Sequence, residues 1–437
     1  MNHDSRPNIL FVFTDQQWAG MMSCAGNRDL ATPGMDSLAA RGTRFDRAYC
    51  AQPLCVPSRG AMSTGRYPHE IGIPFNFHAH ERQARDGLDW VARLIADAGY
   101  DTGYIGKWHQ PLAKDRADVH GIHDLQECPD LELPRRCDAY LAQRRDRPFF
   151  LTVSILDPHD CCEYARGADL LGGNLPEPPP VEDCPELPPN FAAPDGEPSV
   201  LADEQAARPG VYINRSSDTD RWRRYCWAYA RLTERADGYV SRLLHSLEAH
   251  GHRDHTVVVF ASDHGDGNAA HRWNQKQALY NESIHVPLIV VDPTAPTTPT
   301  RRVESALVST GLDLLPTFCD YANATVPEGL AGRSLRPFVD SEDAADRRDH
   351  VVIETGFGTH SHPNGARGHA VVSDRFKYTL YNRGENRQQL IDLHNDPGEM
   401  HNLVDLPEHA DTLRRHAAWL DDWAKETDAD LGPPVGD

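Results

Sequence analysis

The stretch Asn8-Ile9-Leu10-Phe11-Val12-Phe13-Thr14-Asp15-Gln16-Gln17 is an apolar run that gives way at once to polar residues. The run is too short for a secretory apolar region and reads as a buried strand. In parallel α/β sheets, ligands gather at the carboxyl ends of strands. Asp15 therefore stands where a site would form, although an Asp at a strand end is also a common turn residue.

The same grammar recurs along the chain. Tyr100-Asp101-Thr102-Gly103-Tyr104-Ile105 is a short strand leading to Gly106-Lys107-Trp108-His109. Pro148 to Ser154 is a third strand, ending in Asp157-Pro158-His159, and Thr256 to Phe260 is a fourth, ending in Ala261-Ser262-Asp263-His264-Gly265-Asp266. Segments of helical periodicity lie between and after them: Asp89 to Ala98, closed by Gly99, then Arg221 to His250 and Leu312 to Tyr321. In an extended segment Lys107 and His109 would face one way, and a cation beside an imidazole suits an oxyanion. Asp263 next to His264 is a credible metal pair. Cys161 and Cys162 are adjacent thiols that cannot easily chelate one ion, and they read as packing or pocket wall.

From Leu54 to Tyr67 the chain reads Leu-Cys-Val-Pro-Ser-Arg-Gly-Ala-Met-Ser-Thr-Gly-Arg-Tyr. Taken alone, Cys55-Val56-Pro57-Ser58-Arg59 could be a buried structural cysteine ahead of a helix, with Pro57 in its first turn. Together with the strand-end motifs, it resembles the signature of the type I, formylglycine-dependent sulfatases of the alkaline phosphatase superfamily. Four motifs carry that resemblance in the right order: the strand ending at Asp15, Cys55 to Arg59, Gly106 to His109, and Ser262 to Gly265 followed by Lys276 and His285-Val286-Pro287-Leu288. It runs from Asn8 to about Leu403.

The resemblance implies an α/β fold: a mainly parallel sheet flanked by helices, similar to alkaline phosphatase, with a small C-terminal antiparallel sheet plus helix. The expected division is a catalytic domain over 1–345 and a C-terminal subdomain over 346–437. It also implies that Cys55 is oxidised to formylglycine by a maturation enzyme. One hydroxyl of the hydrated aldehyde attacks sulfur, and deprotonating the other expels sulfate, which splits one difficult step into two. By the same resemblance Asp15, Asp263, His264, residue 55 and, as a departure from the usual acid, Gln16 hold a divalent cation, expected to be Ca²⁺ with Mg²⁺ or Mn²⁺ as alternatives. Arg59, Lys107 and Lys276 supply positive charge, while His109 and His159 handle protons at the nucleophile and the leaving alcohol.

The motifs describe a generic oxyanion site, so the substrate's alcohol part must be read elsewhere. The Pro-rich segment Leu175 to Val200 and the run Asp160 to Arg166 flank His159. Their Asp160, Glu163, Tyr164 and Arg166 suit a sugar face better than a flat aryl group, so a sulfated carbohydrate is expected. Two alternatives stay open: a phosphonate monoester or phosphodiester hydrolase of the same superfamily, and a non-catalytic anion- or glycan-binding relative in which Cys55 is unmodified. The 437 residues carry a net charge of −21, which argues against nucleic acid or an anionic membrane as partner. Only five of the 44 basic residues are Lys, and two of these, Lys107 and Lys276, fall on motif positions. Ten Cys without disulfide-framework spacing lead to the expectation of a cytoplasmic protein.

Overall fold

The computed structural model describes residues 6–76, 82–213, 218–295, 302–341, 346–358 and 363–433. Its first strand spans Asn8–Asp15 and is buried throughout. Side chains alternate along a strand, and here both sides are covered. Ile9, Phe11 and Phe13 pack in one core with Phe150 and Phe318, while Leu10 and Val12 pack in another with Tyr239, Val240 and Leu243. A strand buried on both faces is what a parallel sheet between two helical layers demands, and it explains why the run shows no polar alternation.

That strand lies between Phe149–Pro158 and Thr256–Ser262, both parallel to it. The full eight-stranded order is Asp124–Gln126, Asp101–Gly106, Phe149–Pro158, Asn8–Asp15, Thr256–Ser262, Leu288–Val291, Thr43–Phe45, Arg302–Glu304. Only Leu288–Val291 runs antiparallel to its neighbours among these described strands. The expected mainly parallel α/β sheet is therefore present. The long helix occupies Thr219–Ala249, started by Asp218, whose side chain accepts from the Arg221 amide. From the same helix Asp237 accepts from the amides of Gly34 and Met35 at 2.9 and 2.7 Å. It thereby satisfies the open N-terminus of the helix Pro33–Arg41, whose own N-cap residue makes no such bond.

Beyond the main sheet, four antiparallel strands follow in the order His350–Gly358, Pro363–Ser373, Phe376–Tyr381, Gln388–Asp392. The helix Ala410–Thr427 packs Leu420 and Trp423 against Val371, Tyr378 and Leu390 of this sheet. This is the expected C-terminal antiparallel sheet with its helix. The residues just before the boundary expected at 345 lie outside the described residues.

The small sheet also reaches toward the strand ends of the large one. Gln277 donates to the carbonyl of Gly356 at 2.8 Å, and Thr355 donates to the carbonyl of Gln277 at 2.7 Å. A few residues on, Glu399 accepts from the Asn281 amide at 2.7 Å and ion-pairs with Lys377. Buried beside it, Glu282 accepts from Asn190, which also donates to the carbonyl of Gly398. Burial, reinforced by repulsion from Glu399, pushes Glu282 up to about 7. In the unfolded chain Glu282 returns to the ordinary glutamate value of 4.5. Between those values the folded protein holds a proton that the unfolded chain has lost, so this group's contribution falls as pH rises. Glu282→Gln, which mimics the protonated acid, should flatten the decline in denaturant midpoint between about pH 5 and 7.5. An unchanged pH slope would show that Glu282 does not titrate in this window.

Candidate active site

The carboxyl ends of four neighbouring strands and the start of one helix converge on Cys55. It is the first residue of the helix Cys55–Thr64 and is fully buried. Its Sγ lies 2.9 Å from Lys276 Nζ, 3.2 Å from His264 Nε2 and 3.7 Å from Asp15 Oδ1. Burial alone would raise the thiol, but Lys276, His264 and Lys107, with a hydrogen bond to His109, hold it well below its ordinary value. The helix N-terminus adds to that preference for negative charge.

One turn further along the same helix face, Arg59 is completely buried. Its Nε donates to Asp263 Oδ2 and its Nη2 to Asp15 Oδ2, both at 2.8 Å. The remaining Nη1 donates to the carbonyl of Lys107 at 2.9 Å and to Ser154 Oγ at 3.0 Å. Burial works against this charge, and Asp263 and Asp15 outweigh it, keeping the guanidinium protonated. The same interactions act in reverse on Asp15. Burial and Cys55 push it up, but Lys107, His159 and Arg59 hold it far below the carboxylate range. Lys107 Nζ reaches Asp15 Oδ2 at 2.6 Å.

Asp15, Cys55, Asp263 and His264 each offer one ligand atom, and these atoms lie within 4.8 Å of one another. His264 Nδ1 bonds the carbonyl of Gly265 at 2.9 Å. A carbonyl can only accept, so Nδ1 donates to it and Nε2 is the ring atom turned to the two aspartates. Burial opposes a charge on this ring, but Asp263 and Cys55 raise its proton affinity. Two carboxylates and an oriented imidazole fit a hard divalent cation. Gly265 admits this turn because a Cβ there would come within 2.0 Å of the Glu282 carbonyl. The group His271, Glu282 and Glu399 also clusters, but Lys377 already supplies its cation.

Several expectations change on the structure. The strand carrying Lys107 and His109 ends at Gly106, and His109 takes a φ of +40°. These two side chains reach the site from an irregular turn, not from an extended alternation. Gln16, expected at the metal, directs its amide nitrogen to Asp266 Oδ2 at 2.7 Å, and its Oε1 accepts from the Cys162 thiol at 3.3 Å. It braces the wall behind the cluster. Asp160, expected to face substrate, is buried and taken up by the amides of Leu171 and Gly172 and by Arg235. The Pro-rich segment is packed down, with Phe191 against Trp222 and Cys184 beside Trp227, while Leu175 to Pro178 line an open groove with Tyr164 and Arg221.

His159 and His109 both flank the site. Burial, then Lys107 and Lys276, press His159 down to about 3, and burial lowers His109 as well. The Nδ1 atoms of both are buried without a partner among the described residues. Lys276 is carried by a contorted segment in which Gln275 and Gln277 adopt φ values of +78° and +77°. Asp266 anchors it by accepting from the Gln275 amide at 2.9 Å and from the Tyr225 hydroxyl at 2.7 Å. Asp266 lies within the strand-end motif, yet nothing about its spacing marks this task.

The Sulfatase family profile matches residues 7–324. The chain belongs to the sulfatase family. A second profile, N-sulphoglucosamine sulphohydrolase, C-terminal, matches residues 269–426. A Delta 4,5-hexuronate-2-O-sulfatase of Bacteroides thetaiotaomicron is 28% identical over 440 residues, covering 96% of this sulfatase and 89% of the relative. The solved structure of a 2-O GAG sulfatase superposes with a TM-score of 0.86 at 27% identity, covering 97% and 93% of the two chains. A phosphonate monoester hydrolase of Agrobacterium radiobacter shares the fold, with a TM-score of 0.78 at 21% identity over 97% and 96%.

A ligand held only by the native state stabilises it, by about 2.7 kcal/mol at a hundred times its dissociation constant. Asp15 and Asp263 lie far apart in sequence, so a cation site built on them would exist only in the folded chain. Adding Ca²⁺ or Mg²⁺ to chelated protein should therefore raise the thermal midpoint, and Asp263→Asn should remove most of that rise. No bound metal by elemental analysis and no shift with either ion would rule the site out.

Proposed function

We propose that this sulfatase hydrolyses a sulfate ester, or a sulfamate, of a carbohydrate, with Cys55 matured to formylglycine by a dedicated enzyme and a divalent cation beside it. The observation that carries the reading is the convergence of Lys276, His264 and Asp15 on Cys55 Sγ within 3.7 Å. The named specificities of the relatives, a hexuronate 2-O-sulfatase and a 2-O GAG sulfatase, support a sugar as the alcohol part.

In this reading Asp15, Asp263, His264 and residue 55 hold the cation, with Ca²⁺ the expected ion. When bound, it supplies Lewis acidity that lowers the pKa of the attacking hydroxyl and neutralises a sulfate oxygen. The protein's own groups do the rest. Arg59 fixes both aspartates and, with His264, opposes the burial and the neighbouring Asp15 that push Asp263 up. Lys107 and Lys276 place positive charge where the sulfate oxygens gain negative charge in the transition state, which is worth most in a site closed to water. A neutral His109, hydrogen-bonded to residue 55, is ready to take its proton. Burial and the two lysines outweigh Asp15 and Cys55 and keep His159 neutral. A bound sulfate opposes the lysines and raises the proton affinity of His159, which lets it serve the leaving alcohol.

The rival reading is a phosphonate monoester or phosphodiester hydrolase, because tetrahedral anions of both kinds fit such a cluster and the Agrobacterium enzyme shares the fold. Substrate preference decides between these two, and intact mass tells whether Cys55 is matured at all. Conversion of Cys55 to formylglycine lowers the intact mass by roughly 18 Da as thiol gives way to aldehyde. On matured protein a panel of sulfated sugars should outpace phosphodiesters and phosphonate esters in kcat/KM. Cys55→Ser should stop after a single turnover, since serine lacks the second hydroxyl that expels sulfate. Sustained turnover by that variant, or a phosphodiester cleaved faster than every sulfated sugar, would overturn the proposal.

A further inference from the structure

Beside the nucleophile lies a cavity of about 250 Å³, floored by His159 and Lys276 and walled by Arg166, Arg208, Tyr212 and Gln275. It is smaller than the pockets usual for drug-sized ligands and is suited to one compact unit. Its lining is chemically one-sided. Among the described residues three cationic side chains line it and no Asp or Glu does. The carboxylates that accompany its two guanidiniums stand outside the lining: Glu163 holds Arg166 at 2.8 Å, and Glu204 ion-pairs with Arg208.

Two donors in this wall lack an acceptor among the described residues. Gln275 is 3% exposed, and its Oε1 takes the Cys162 thiol at 3.0 Å, which leaves Nε2 buried without a partner among the described residues. Arg208 spends Nη2 on Tyr212 and Gln277, yet its Nε is buried and equally unmatched among them. Buried donors are matched almost everywhere in folded proteins, and these two meet the three cations of one cavity that no carboxylate lines among the described residues, an arrangement that suits an anionic acceptor. The scissile sulfate does not fill this need, because it belongs with Lys107, Lys276 and the cation. Guanidiniums with a planar face of N–H groups match carboxylate and sulfate oxygens best.

We propose that this cavity is a second anion subsite, taking a carboxylate or an additional sulfate borne by the same sugar unit as the scissile sulfate. This deepens the sulfatase reading and rests on it. Arg166, exposed with one nitrogen tied to Glu163, meets the incoming acid, and Gln275 and Arg208 complete its hydrogen bonds. The substrate class is therefore a sulfated sugar acid or a disulfated sugar.

The test uses matured full-length protein and two matched pairs: a sulfated hexuronic acid with its methyl ester, and a disulfated hexosamine with its monosulfated counterpart. In at least one pair the more acidic member should be preferred in kcat/KM by about ten- to a hundredfold, the worth of a charge-assisted hydrogen bond. Which pair shows the preference tells carboxylate from sulfate. Arg166→Gln should bring that ratio to about one, chiefly through KM, and Arg166→Lys should restore part of it. A merely structural arginine would lower both members equally and leave the ratio intact. Ratios near one for both pairs in the wild type, or a ratio that survives Arg166→Gln, would overturn the subsite. Should no sugar release sulfate, the sulfatase reading itself fails. The subsite is then judged by calorimetric dissociation constants for the same pairs, where equal affinities within each pair would end it.

Discussion

Arg59 is a fully buried guanidinium shared between two fully buried carboxylates, Asp15 and Asp263, and the site could not assemble without such a group. Two carboxylates this close in a dry interior cannot both stay ionised unless positive charge meets them with good geometry. A planar fork does this for two acids at once and still has a nitrogen left for the carbonyl of Lys107 and the hydroxyl of Ser154. It therefore ties the ends of four adjacent strands to the helix that carries Cys55. The ammonium of a lysine has no such fork.

From that brace the electrostatics of the rest follow. The chain carries −21 overall, yet around Cys55 the cations Lys107 and Lys276 and several imidazoles outnumber the one carboxylate in contact with it, Asp15. Close charges in a low-dielectric pocket dominate distant, screened ones, so an acidic protein can still seat an anion. The C-terminal sheet takes part through geometry. Its hydrogen bonds to Gln277 hold the left-handed turn that delivers Lys276. The small subdomain is thus structural support for the catalytic cluster as well as a separate core.

Much of this was legible in the sequence because strand ends concentrate chemistry. The unbroken apolar run Asn8 to Phe13 signalled a buried strand, and it delivers Asp15 to the cluster. The Cys55 motif and Asp263-His264 work within a few residues of one chain segment, so local spacing carries them. What stayed hidden depends on distant partners. Gln16 was read as a ligand, and its turn toward Asp266 and Cys162 is set by a helix some 145 residues away. Asp160 was read as facing substrate, but Arg235 of the long helix claims it. Arg208 and Gln275 lie in segments with no periodicity or motif, and only their unmatched donors in a shared cavity mark them.

The account's central claim is that residue 55 attacks sulfur and that the S–O bond to the sugar breaks. Turnover of a sulfated sugar by matured protein in water enriched in heavy oxygen tests this most directly, with both products read by mass spectrometry. The account predicts that the heavy oxygen appears in the released sulfate and that the sugar hydroxyl keeps its original oxygen. Heavy oxygen in the sugar hydroxyl, with unlabelled sulfate, would mean that carbon and not sulfur is attacked, and would contradict it.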